Sequence, residues 1–277
     1  MKIINIPTGG LCNRMRSIAT AIAIAQKYDC PISIKWNNNN GLKANFNDLF
    51  ENISIPNVKV IENKKWLYNI KGTKDYLLRK YYYKLKYEQV LFNYSHERYG
   101  DIYPHLKKRY SKDLLLISCY HMCKDYSMQG LFRPKEELQK RIDEVTSSFS
   151  EHTIGVHIRR TDNIASITSS PIEVFIDLIQ KEIKKNEEVK FYLASDDKSV
   201  KQSLTEKFPN RIITFMDDTD RDSLNGMKFA VVDLFCLSKT KKIIGSVASS
   251  YSETAAELGG IKLEYARDYS KTNKSKI

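Results

Sequence analysis

The chain has 277 residues, enough for two packed domains, because one hydrophobic core usually organises about 100–200 residues. Hydrophobic residues make up 42% of it and aromatic residues 11%, which excludes an intrinsically disordered chain. The 45 Lys and Arg outnumber 33 Asp and Glu, so the net charge of +12 favours a polyanionic partner such as nucleic acid, anionic lipid or a phosphorylated substrate.

The first elements alternate between strand and helix. Lys2–Pro7 has the pattern of a buried strand, residues 8–13 form a tight turn, and apolar residues recur at helical spacing through Arg14–Tyr28. A second strand is predicted at Pro31–Trp36. This order indicates a parallel sheet with helices packed on its faces.

Residues 37–110 differ in composition and include a segment rich in Tyr and Lys at 76–87. Interleaved aromatic and basic side chains could stack on bases or sugars, or lie on a membrane surface. The simpler interpretation is an amphipathic helix with half-buried tyrosines. A strand at Leu114–Ser118 and a helix at Pro134–Phe149 complete the first half.

A second series of strands and helices begins at residue 153. We expect strands at Thr153–Ile158, Lys190–Ala194, Arg211–Phe215 and Lys242–Ile244, and helices at Pro171–Lys185, Lys198–Phe208, Met227–Leu237 and Ser252–Leu258. The two series predict an α/β protein with two Rossmann-like domains, residues 1–150 and 151–277, that face each other across a cleft.

The chain contains no strong membrane or metal signal in its sequence. Its N-terminal apolar run is shorter than the core of a signal peptide, and its most apolar stretch, 18–25, is far below the about 18 residues that span a bilayer. Five cysteines, an odd number, argue for reduced thiols and a cytoplasmic location. Cys119, His121 and Cys123 lack a second pair at zinc spacing, so we expect no metal there.

Polar clusters follow several of the predicted strands, where open α/β sheets bind ligands. Gly9 and Gly10 precede a helix N-terminus, which suits an anion but is also typical of an ordinary tight turn. His157, Arg159, Arg160 and Asp162 follow the strand at 153–158. One arginine there can face a phosphate while the other pairs with an internal carboxylate such as Asp162, and a surface ion-pair cluster is the alternative.

Two further clusters lie in the second half. Asp196 and Asp197 could bind a metal or a ribose, or cap the following helix, and we expect at least one of them to cap it. The hydroxyl-rich segment 245–252 precedes the last helix and resembles a phosphate cradle. Asp233 lies inside an apolar run and therefore needs a hydrogen-bond donor, since burying an unpaired acid is costly.

In order and spacing, these clusters resemble the fucosyltransferase superfamily, which contains α1,2-, α1,6- and protein O-fucosyltransferases. The segment 157–162, with sequence HIRRTD, resembles the first motif of that family and is most similar to the α1,6-type enzymes. Segments 192–197, 232–238 and 249–256 continue the resemblance, and 9–14 is similar to the glycine-rich loop of the first domain. The resemblance covers residues 1–28 and 153–260.

The resemblance implies a GT-B-type fold and an inverting glycosyltransferase that takes fucose from GDP-fucose without a metal cofactor. It implies that Arg159 holds the β-phosphate, that His157 contacts the nucleoside and that Asp233 accepts hydrogen bonds from guanine. It further implies that the donor site includes Gly10, Asn13, Arg14, Ser249, Ser250 and Ser252. Most of the donor site would then lie in the second domain.

The sequence departs from the α1,6-type pattern at two positions. Asn163 and Ile167 stand where those enzymes carry a Lys and a Glu implicated in catalysis. Asp162 is therefore our alternative candidate for the general base, beside Arg159 as the other catalytic residue.

The expected acceptor is a glycan or glycolipid, in bacterial surface polysaccharide synthesis, with peripheral association to the inner face of the membrane. Two alternatives remain open: a glycosyltransferase that uses another nucleotide sugar, and a polyanion-binding protein without enzymatic activity. The sequence has no helix-turn-helix, zinc-finger or RNA-recognition signature, so we expect no nucleic-acid partner.

Overall fold

The computed structural model describes residues 1–39, 41–62, 81–92, 100–123, 125–217 and 220–268, and the chain folds into two units. The first unit is Met1–Lys135 with Arg221–Met227, and the second unit is Glu136–Asp220 with Lys228–Ile277. The boundary therefore lies at residue 135 rather than at the predicted 150. The reason is that helix Glu136–Thr146 packs in the second unit, where its Asp143 accepts a 3.0 Å hydrogen bond from Lys239 Nζ.

The first unit is built on a five-stranded sheet in the order β3-β2-β1-β5-β4, with every neighbouring pair parallel. The strands are β1 Ile3–Pro7, β2 Ile32–Trp36, β3 Val58–Glu62, β4 Tyr87–Phe92 and β5 Asp113–Ser118, with helices α1 Leu11–Lys27 and α2 Phe46–Leu49. The predicted parallel sheet is thus confirmed. Helix α1 begins three residues before the predicted start, because Gly10 is its N-cap.

The predicted Tyr- and Lys-rich helix lies partly outside the described residues. Within the described part, residues 81–86 are helical and strand β4 follows directly. Its tyrosines are not uniformly half-buried: Tyr81 and Tyr82 are exposed, whereas Tyr87 is buried.

The second unit contains another five-stranded parallel sheet, in the order β10-β9-β6-β7-β8. Its strands are β6 Ile154–Ile158, β7 Phe191–Ser195, β8 Ile212–Ile213, β9 Lys242–Gly245 and β10 Lys262–Tyr265. Its helices are α3 Glu136–Thr146, α4 Ile164–Ser169, α5 Ile172–Lys185, α6 Lys198–Lys207, α7 Leu224–Ser238 and α8 Ser250–Gly259. Helix α7 begins in the part of the chain that belongs to the first unit.

Strand β6 occupies the middle of the second sheet and all five of its residues are buried. It pairs with β7 on one side and β9 on the other. Residues that leave its carboxyl end therefore emerge between the ends of two neighbours, which is where ligands bind in open parallel sheets.

Gly245 ends β9 and permits the close packing of α8 at this edge. A Cβ atom on Gly245 would lie 2.6 Å from the Cβ of Ser252, a separation that real Cβ atoms do not adopt. Because residue 245 is a glycine, the N-terminus of α8 can lie close to the end of the sheet.

Candidate functional site

The loop after β6 is held from both sides by the loops after its neighbouring strands. The main-chain N–H of Arg159 donates to Ser246 Oγ beyond β9, at 3.0 Å. The main-chain N–H of Arg160 donates to Asp196 Oδ1 beyond β7, at 2.7 Å. Three of the clusters identified in the sequence therefore meet at one edge of the second sheet.

Asp196 is the anchor of this loop. Its carboxylate also accepts from the Thr161 hydroxyl at 2.6 Å and from the Thr161 main chain at 3.2 Å, and its Oδ2 lies 2.9 Å from Arg159 Nη1. The sequence left metal binding, ribose binding and capping open for this residue. The structure instead assigns it to loop anchoring, since donors from three consecutive residues converge on it.

Asp197 caps helix α6. Its Oδ1 accepts hydrogen bonds from the main-chain N–H groups of Ser199 at 2.8 Å and Val200 at 3.4 Å. The expectation that at least one of the two acids is an N-cap is confirmed.

Asp162 pairs with Arg159 rather than with Arg160. The guanidinium of Arg159 contacts the carboxylates of both Asp162 and Asp196, whereas that of Arg160 donates to the Ser170 carbonyl at 2.6 Å. The expectation that the arginine not facing a phosphate would pair with Asp162 is therefore corrected. Arg160 turns towards the end of α4, where main-chain carbonyls lack partners within the helix.

Asn163 links the loop after β6 to the segment before α8 by a hydrogen bond. Its Nδ2 donates to the Ala248 carbonyl at 2.9 Å, and its Oδ1 accepts from Ser166 N at 3.1 Å, which caps α4. Ala248 has a φ of 55°, a left-handed conformation that strains a residue with a Cβ. Asn163, one of the two positions that depart from the α1,6-type pattern, therefore has a structural role here.

The N-terminus of α8 lies at this edge of the sheet. Ser249 is the N-cap, and within the described part of the chain its hydroxyl makes no capping hydrogen bond. Ser250 opens the helix, so its first N–H groups and the helix dipole favour an anion. Ser252 is a correction: it is buried against Gly245 and donates to the Ser249 carbonyl at 3.2 Å, so it packs the helix rather than facing a donor.

His157 is buried beneath the loop and its ring stacks on Tyr251, with centroids 4.7 Å apart and an interplanar angle of 25°. The Tyr251 hydroxyl donates to the Ala230 carbonyl at 2.5 Å, which fixes the pair against α7. Among the described residues, His157 Nδ1 has no hydrogen-bond partner. Burial lowers the pKa of His157 to about 3, so the imidazole is neutral and would hold a ligand by hydrogen bonding rather than by charge.

Asp233 is buried in α7 and has internal partners. The Tyr192 hydroxyl donates to its Oδ1, and Lys201 Nζ lies 3.9 Å from its Oδ2. Burial raises the pKa of this carboxyl group. The expectation that a buried acid needs a donor is met, but both oxygens face the core. Asp233 thus belongs to a core polar cluster with Tyr192 and Lys201, and its guanine contact stays a prediction.

The glycine-rich turn of the first unit is shaped by its own side chains. Gly9 has a φ of 79°, and a Cβ there would lie 2.8 Å from Asn13 Nδ2. Gly10 then caps α1 in an extended conformation. The turn exposes a helix N-terminus, as the sequence indicated.

Arg14 holds this turn from inside. It is buried, its Nε donates to the Gly9 carbonyl at 2.8 Å and its Nη2 donates to Asn39 Oδ1 at 2.7 Å. Its guanidinium also lies over the Trp36 ring, 5.1 Å from the centroid, and burial lowers its pKa to about 10. The hydrogen bonds to Gly9 and Asn39 use two of the five N–H donors of the guanidinium, and contact of Arg14 with the donor stays a prediction.

Arg221 was missed by the sequence analysis. Its Nη1 lies 4.0 Å from the position that a Cβ on Gly10 would take, and its carbonyl accepts a 3.0 Å hydrogen bond from Lys43 N. No motif marks this residue, and more than 200 positions separate it from the turn. The return of Arg221–Met227 to the first unit is what places it there.

The described ranges contain neither a cluster of metal ligands nor a helix that could span a membrane. No three His, Cys, Asp or Glu side chains converge as a metal site in those ranges. The helices found there are also too short or too polar to cross a bilayer.

Comparisons with known proteins bear on both sequence and fold. A family model described as alpha-(1,6)-fucosyltransferase N- and catalytic domains matches residues 122–247. NodZ α-1,6-fucosyltransferase co-crystallized with GDP superposes with a TM-score of 0.61, at 17% identity over 93% of this chain and 92% of NodZ. NodZ has also been solved as a protein from Bradyrhizobium. The chain is therefore similar to α1,6-fucosyltransferases in the sequence of this segment and in its fold.

Other members of the superfamily share the fold at lower identity. A variant of Arabidopsis thaliana FUT1 in complex with GDP has a TM-score of 0.61, at 13% identity over 95% of this chain and 69% of FUT1. POFUT1 in complex with GDP has a TM-score of 0.55, at 10% identity over 95% of this chain and 97% of POFUT1. The chain thus has the GT-B-like fold that its motifs implied, and its second half matches a glycosyltransferase family model.

The matched segment contains most of the site in the second unit. It includes the loop after β6, Asp196 and the cluster around Asp233. The glycine-rich turn at 9–14 and helix α8 lie outside it, so their place in the fucosyltransferase pattern rests on the motif resemblance and on their geometry.

Proposed function

We propose that this chain transfers fucose from GDP-fucose to a hydroxyl group of a glycan or glycolipid acceptor. The observation that carries the proposal is the hydrogen bond that joins Arg159 to Ser246, in the segment that leads into α8, within a chain whose residues 122–247 match a fucosyltransferase family model. The comparable structures of NodZ, FUT1 and POFUT1 were determined with GDP.

The diphosphate of the donor binds at this edge. A guanidinium presents two parallel donors to phosphate oxygens, and helix N-termini present further N–H groups. Arg159 is positioned by Asp196 before any donor arrives, so little reorganisation is needed on binding. Ser249 and Ser250 supply the cap and the first turn of the helix that faces the phosphates.

When the donor binds, a phosphate group replaces one of the two carboxylates that contact Arg159. The side chain of Asp196 is 12% exposed and its carboxylate has several donors, whereas the side chain of Asp162 is 53% exposed. The better-solvated carboxylate costs less to move, so the incoming phosphate displaces Asp162 and leaves Asp196 in place. Asp162, no longer paired with Arg159, is the residue that we propose as the general base.

Transfer follows as a single displacement with inversion at the fucose anomeric carbon. The acceptor hydroxyl forms a bond to C1 as the bond from C1 to the β-phosphate oxygen breaks, and Asp162 takes the hydroxyl proton. Negative charge grows on the departing GDP, next to Arg159. A preorganised cation stabilises that state more than the ground state, and removal of such a group typically costs about 10²–10³ in rate.

No divalent metal takes part in this scheme. Arg159 and the dipole of α8 supply the positive charge that a metal would otherwise provide at the diphosphate. Activity should therefore survive treatment with EDTA. A strict requirement for Mg²⁺ or Mn²⁺ would contradict this assignment and direct attention to Asp196 as a ligand.

The setting that we propose is synthesis of a bacterial surface polysaccharide at the inner face of the membrane. The net charge of +12 favours anionic lipid, and the exposed Tyr81, Tyr82 and Leu85 adjoin basic residues in a stretch that suits an interface. High salt should release a membrane-bound fraction. A bound fraction that resists salt would contradict the electrostatic explanation.

The reaction itself is tested with a panel of donors. Release of nucleotide from GDP-fucose, GDP-mannose and UDP-sugars is measured with and without glycan acceptors. We expect GDP-fucose to be turned over fastest. Faster turnover of another donor would support a glycosyltransferase that transfers a different sugar. The absence of turnover with every donor would contradict the enzymatic proposal.

A further inference from the structure

The first unit contains a cavity of about 260 Å³ that none of the sequence motifs pointed to. One wall is formed by residues 53–55 and the other by residues 126–133. An antiparallel bridge between Phe50 and Pro134 joins the two segments. The main-chain N–H of Glu51 donates to the Arg133 carbonyl at 2.8 Å, so the walls are fixed at their base.

The base of the cavity continues into the aromatic core of the unit. Phe50 packs against Phe132 with ring centroids 5.5 Å apart, and both residues are buried. On the outer wall, Tyr126 N donates to the Cys123 carbonyl and Leu131 N donates to the Met128 carbonyl, each at 3.1 Å. Two hydrogen-bonded turns on a packed base thus hold the walls of this half-open cavity in place.

The lining combines one aromatic ring with several hydrogen-bonding groups. Tyr126 is half-buried, and Ile53 and Leu131 form an apolar floor. Gln129 and Arg133 are exposed at the rim, and the Arg133 guanidinium donates to Ser54 Oγ. An aromatic face suits the C–H face of a sugar ring, while amide, hydroxyl and guanidinium groups suit its hydroxyls.

The size and charge of the cavity restrict its ligand. Drug-sized ligands usually occupy about 300–1,000 Å³, so a cavity of about 260 Å³ suits a molecule the size of a sugar ring. Of the described residues that line it, Arg133 alone carries a charge, which is too little to hold a diphosphate. The lining therefore favours a hydroxyl-rich ring over a nucleotide.

We propose that this cavity binds one pyranose unit of the acceptor glycan, at a distinct subsite within the first unit. The proposal rests on the proposed glycosyl transfer. It adds a place where the acceptor is recognised by residues of the chain that take no part in binding the donor.

The test uses the full-length protein without nucleotide. A panel of methyl pyranosides of a hexose, an N-acetylhexosamine and a hexuronic acid is titrated, with binding followed by saturation-transfer NMR. We expect at least one member to bind with a Kd of about 1 mM or somewhat weaker, as befits a single ring. Gln129→Ala and Arg133→Ala should each weaken that binding by up to about tenfold, the equivalent of about 1.4 kcal/mol.

Control variants separate loss of recognition from loss of fold. Arg109→Ala removes an exposed arginine of the same unit outside the cavity and should leave sugar binding unchanged. Tyr126→Phe keeps the ring and should retain most of the binding. Each variant is also titrated with GDP, whose affinity should match that of the unaltered protein.

The proposal is overturned if none of the pyranosides binds, or if one binds equally well to the unaltered protein, Gln129→Ala and Arg133→Ala. Its failure is distinguishable from that of the proposed function. GDP binding without pyranoside binding contradicts the sugar subsite alone. Pyranoside binding at the cavity without GDP binding contradicts the donor assignment alone.

Discussion

Arg159 Nη1 lies 2.9 Å from Asp196 Oδ2, and the two residues follow the neighbouring parallel strands β6 and β7. The same carboxylate accepts the main-chain N–H of Arg160 and the hydroxyl of Thr161. One acid therefore fixes both the direction of the Arg159 guanidinium and the path of the loop that carries it. In the proposed function, Asp196 is therefore a positioning residue that acts on the donor through Arg159.

Replacement of this acid tests its positioning role. We expect Asp196→Asn to weaken GDP binding by about tenfold, the equivalent of about 1.4 kcal/mol, because the amide nitrogen faces groups that are themselves donors. Asp197→Ala is the matched control. It should cost about 0.5–2 kcal/mol of stability through loss of the α6 cap, with GDP affinity unchanged. Calorimetric titration and urea unfolding measure the two effects, and wild-type GDP affinity in Asp196→Asn would contradict the positioning role.

The two adjacent arginines should differ in what they contribute. Arg159→Ala should lower turnover by about 10²–10³, as expected for the loss of a preorganised charge at the leaving group. Arg159→Lys should also be poor, since it keeps the charge and loses the two-point geometry. Arg160→Ala should lower stability more than turnover, because its guanidinium holds carbonyls at the end of α4.

Turnover and a melting curve for each of these variants decide the assignment. A fully active Arg159→Ala would leave the phosphate role without support. An Arg160→Ala that melts normally but has lost activity would mean that the roles of the two arginines are reversed.

The proposed exchange at Arg159 predicts an unusual behaviour for Asp162→Asn. Removing the displaced carboxylate should leave GDP affinity equal to or higher than that of the unaltered protein, because the phosphate no longer competes with an anion. Turnover should fall, because the general base is lost. Steady-state kinetics and GDP titration of one preparation measure both. A parallel loss of affinity and turnover would contradict the exchange.

The sequence was sufficient for the central strands of both sheets and for one edge of the candidate site. Strands such as β1, β6 and β7 are short apolar runs bounded by turn residues, so their periodicity identifies them. Strands β3, β4 and β10 were missed, because they lie at sheet edges and their residues alternate or are largely exposed. Because the carboxyl ends of parallel strands lie at one edge of a sheet, the sequence also predicted correctly that the loops after β6 and β9 lie close together.

The sequence did not predict which side chains contact each other in the folded protein. The family resemblance assigned Arg14 and Asp233 to the donor, and it gave no sign that both are buried with internal partners. The role of Asp196 depends on donors 35 and 36 positions away, a relation that no local pattern contains. The domain boundary failed for a similar reason, since a helix does not encode which sheet it packs against.

Acid should destabilise the protein through His157. Its pKa is lowered from 6.5 to about 3 by burial, so between those values the unfolded chain binds a proton that the folded protein does not. Its stabilising contribution is therefore complete above about pH 6.5 and is lost as the pH falls towards 3, by up to about 1.4 kcal/mol per pH unit. Urea unfolding of the unaltered protein and His157→Gln across this range should show a steeper loss in the former. Identical slopes would contradict the buried neutral imidazole.

The cluster around Asp233 should be structural. Asp233→Asn leaves the Lys201 ammonium in the core beside a neutral amide, and breaking such a buried pair typically costs about 3–5 kcal/mol. We expect a clear fall in the free energy of unfolding by urea, while the folded fraction still binds GDP. An Asp233→Asn protein of normal stability that no longer binds GDP would return this residue to the guanine site.

We propose that the edge of the second sheet binds the guanine nucleotide of a sugar donor. The most direct measurement compares the melting temperature of the protein in EDTA with increasing GDP, UDP or duplex DNA at matched phosphate concentration, because a ligand that binds only the folded state raises it by mass action. We expect GDP to raise the melting temperature progressively and the other two to leave it nearly unchanged. Equal protection by UDP or by DNA, or no protection by GDP, would contradict the claim.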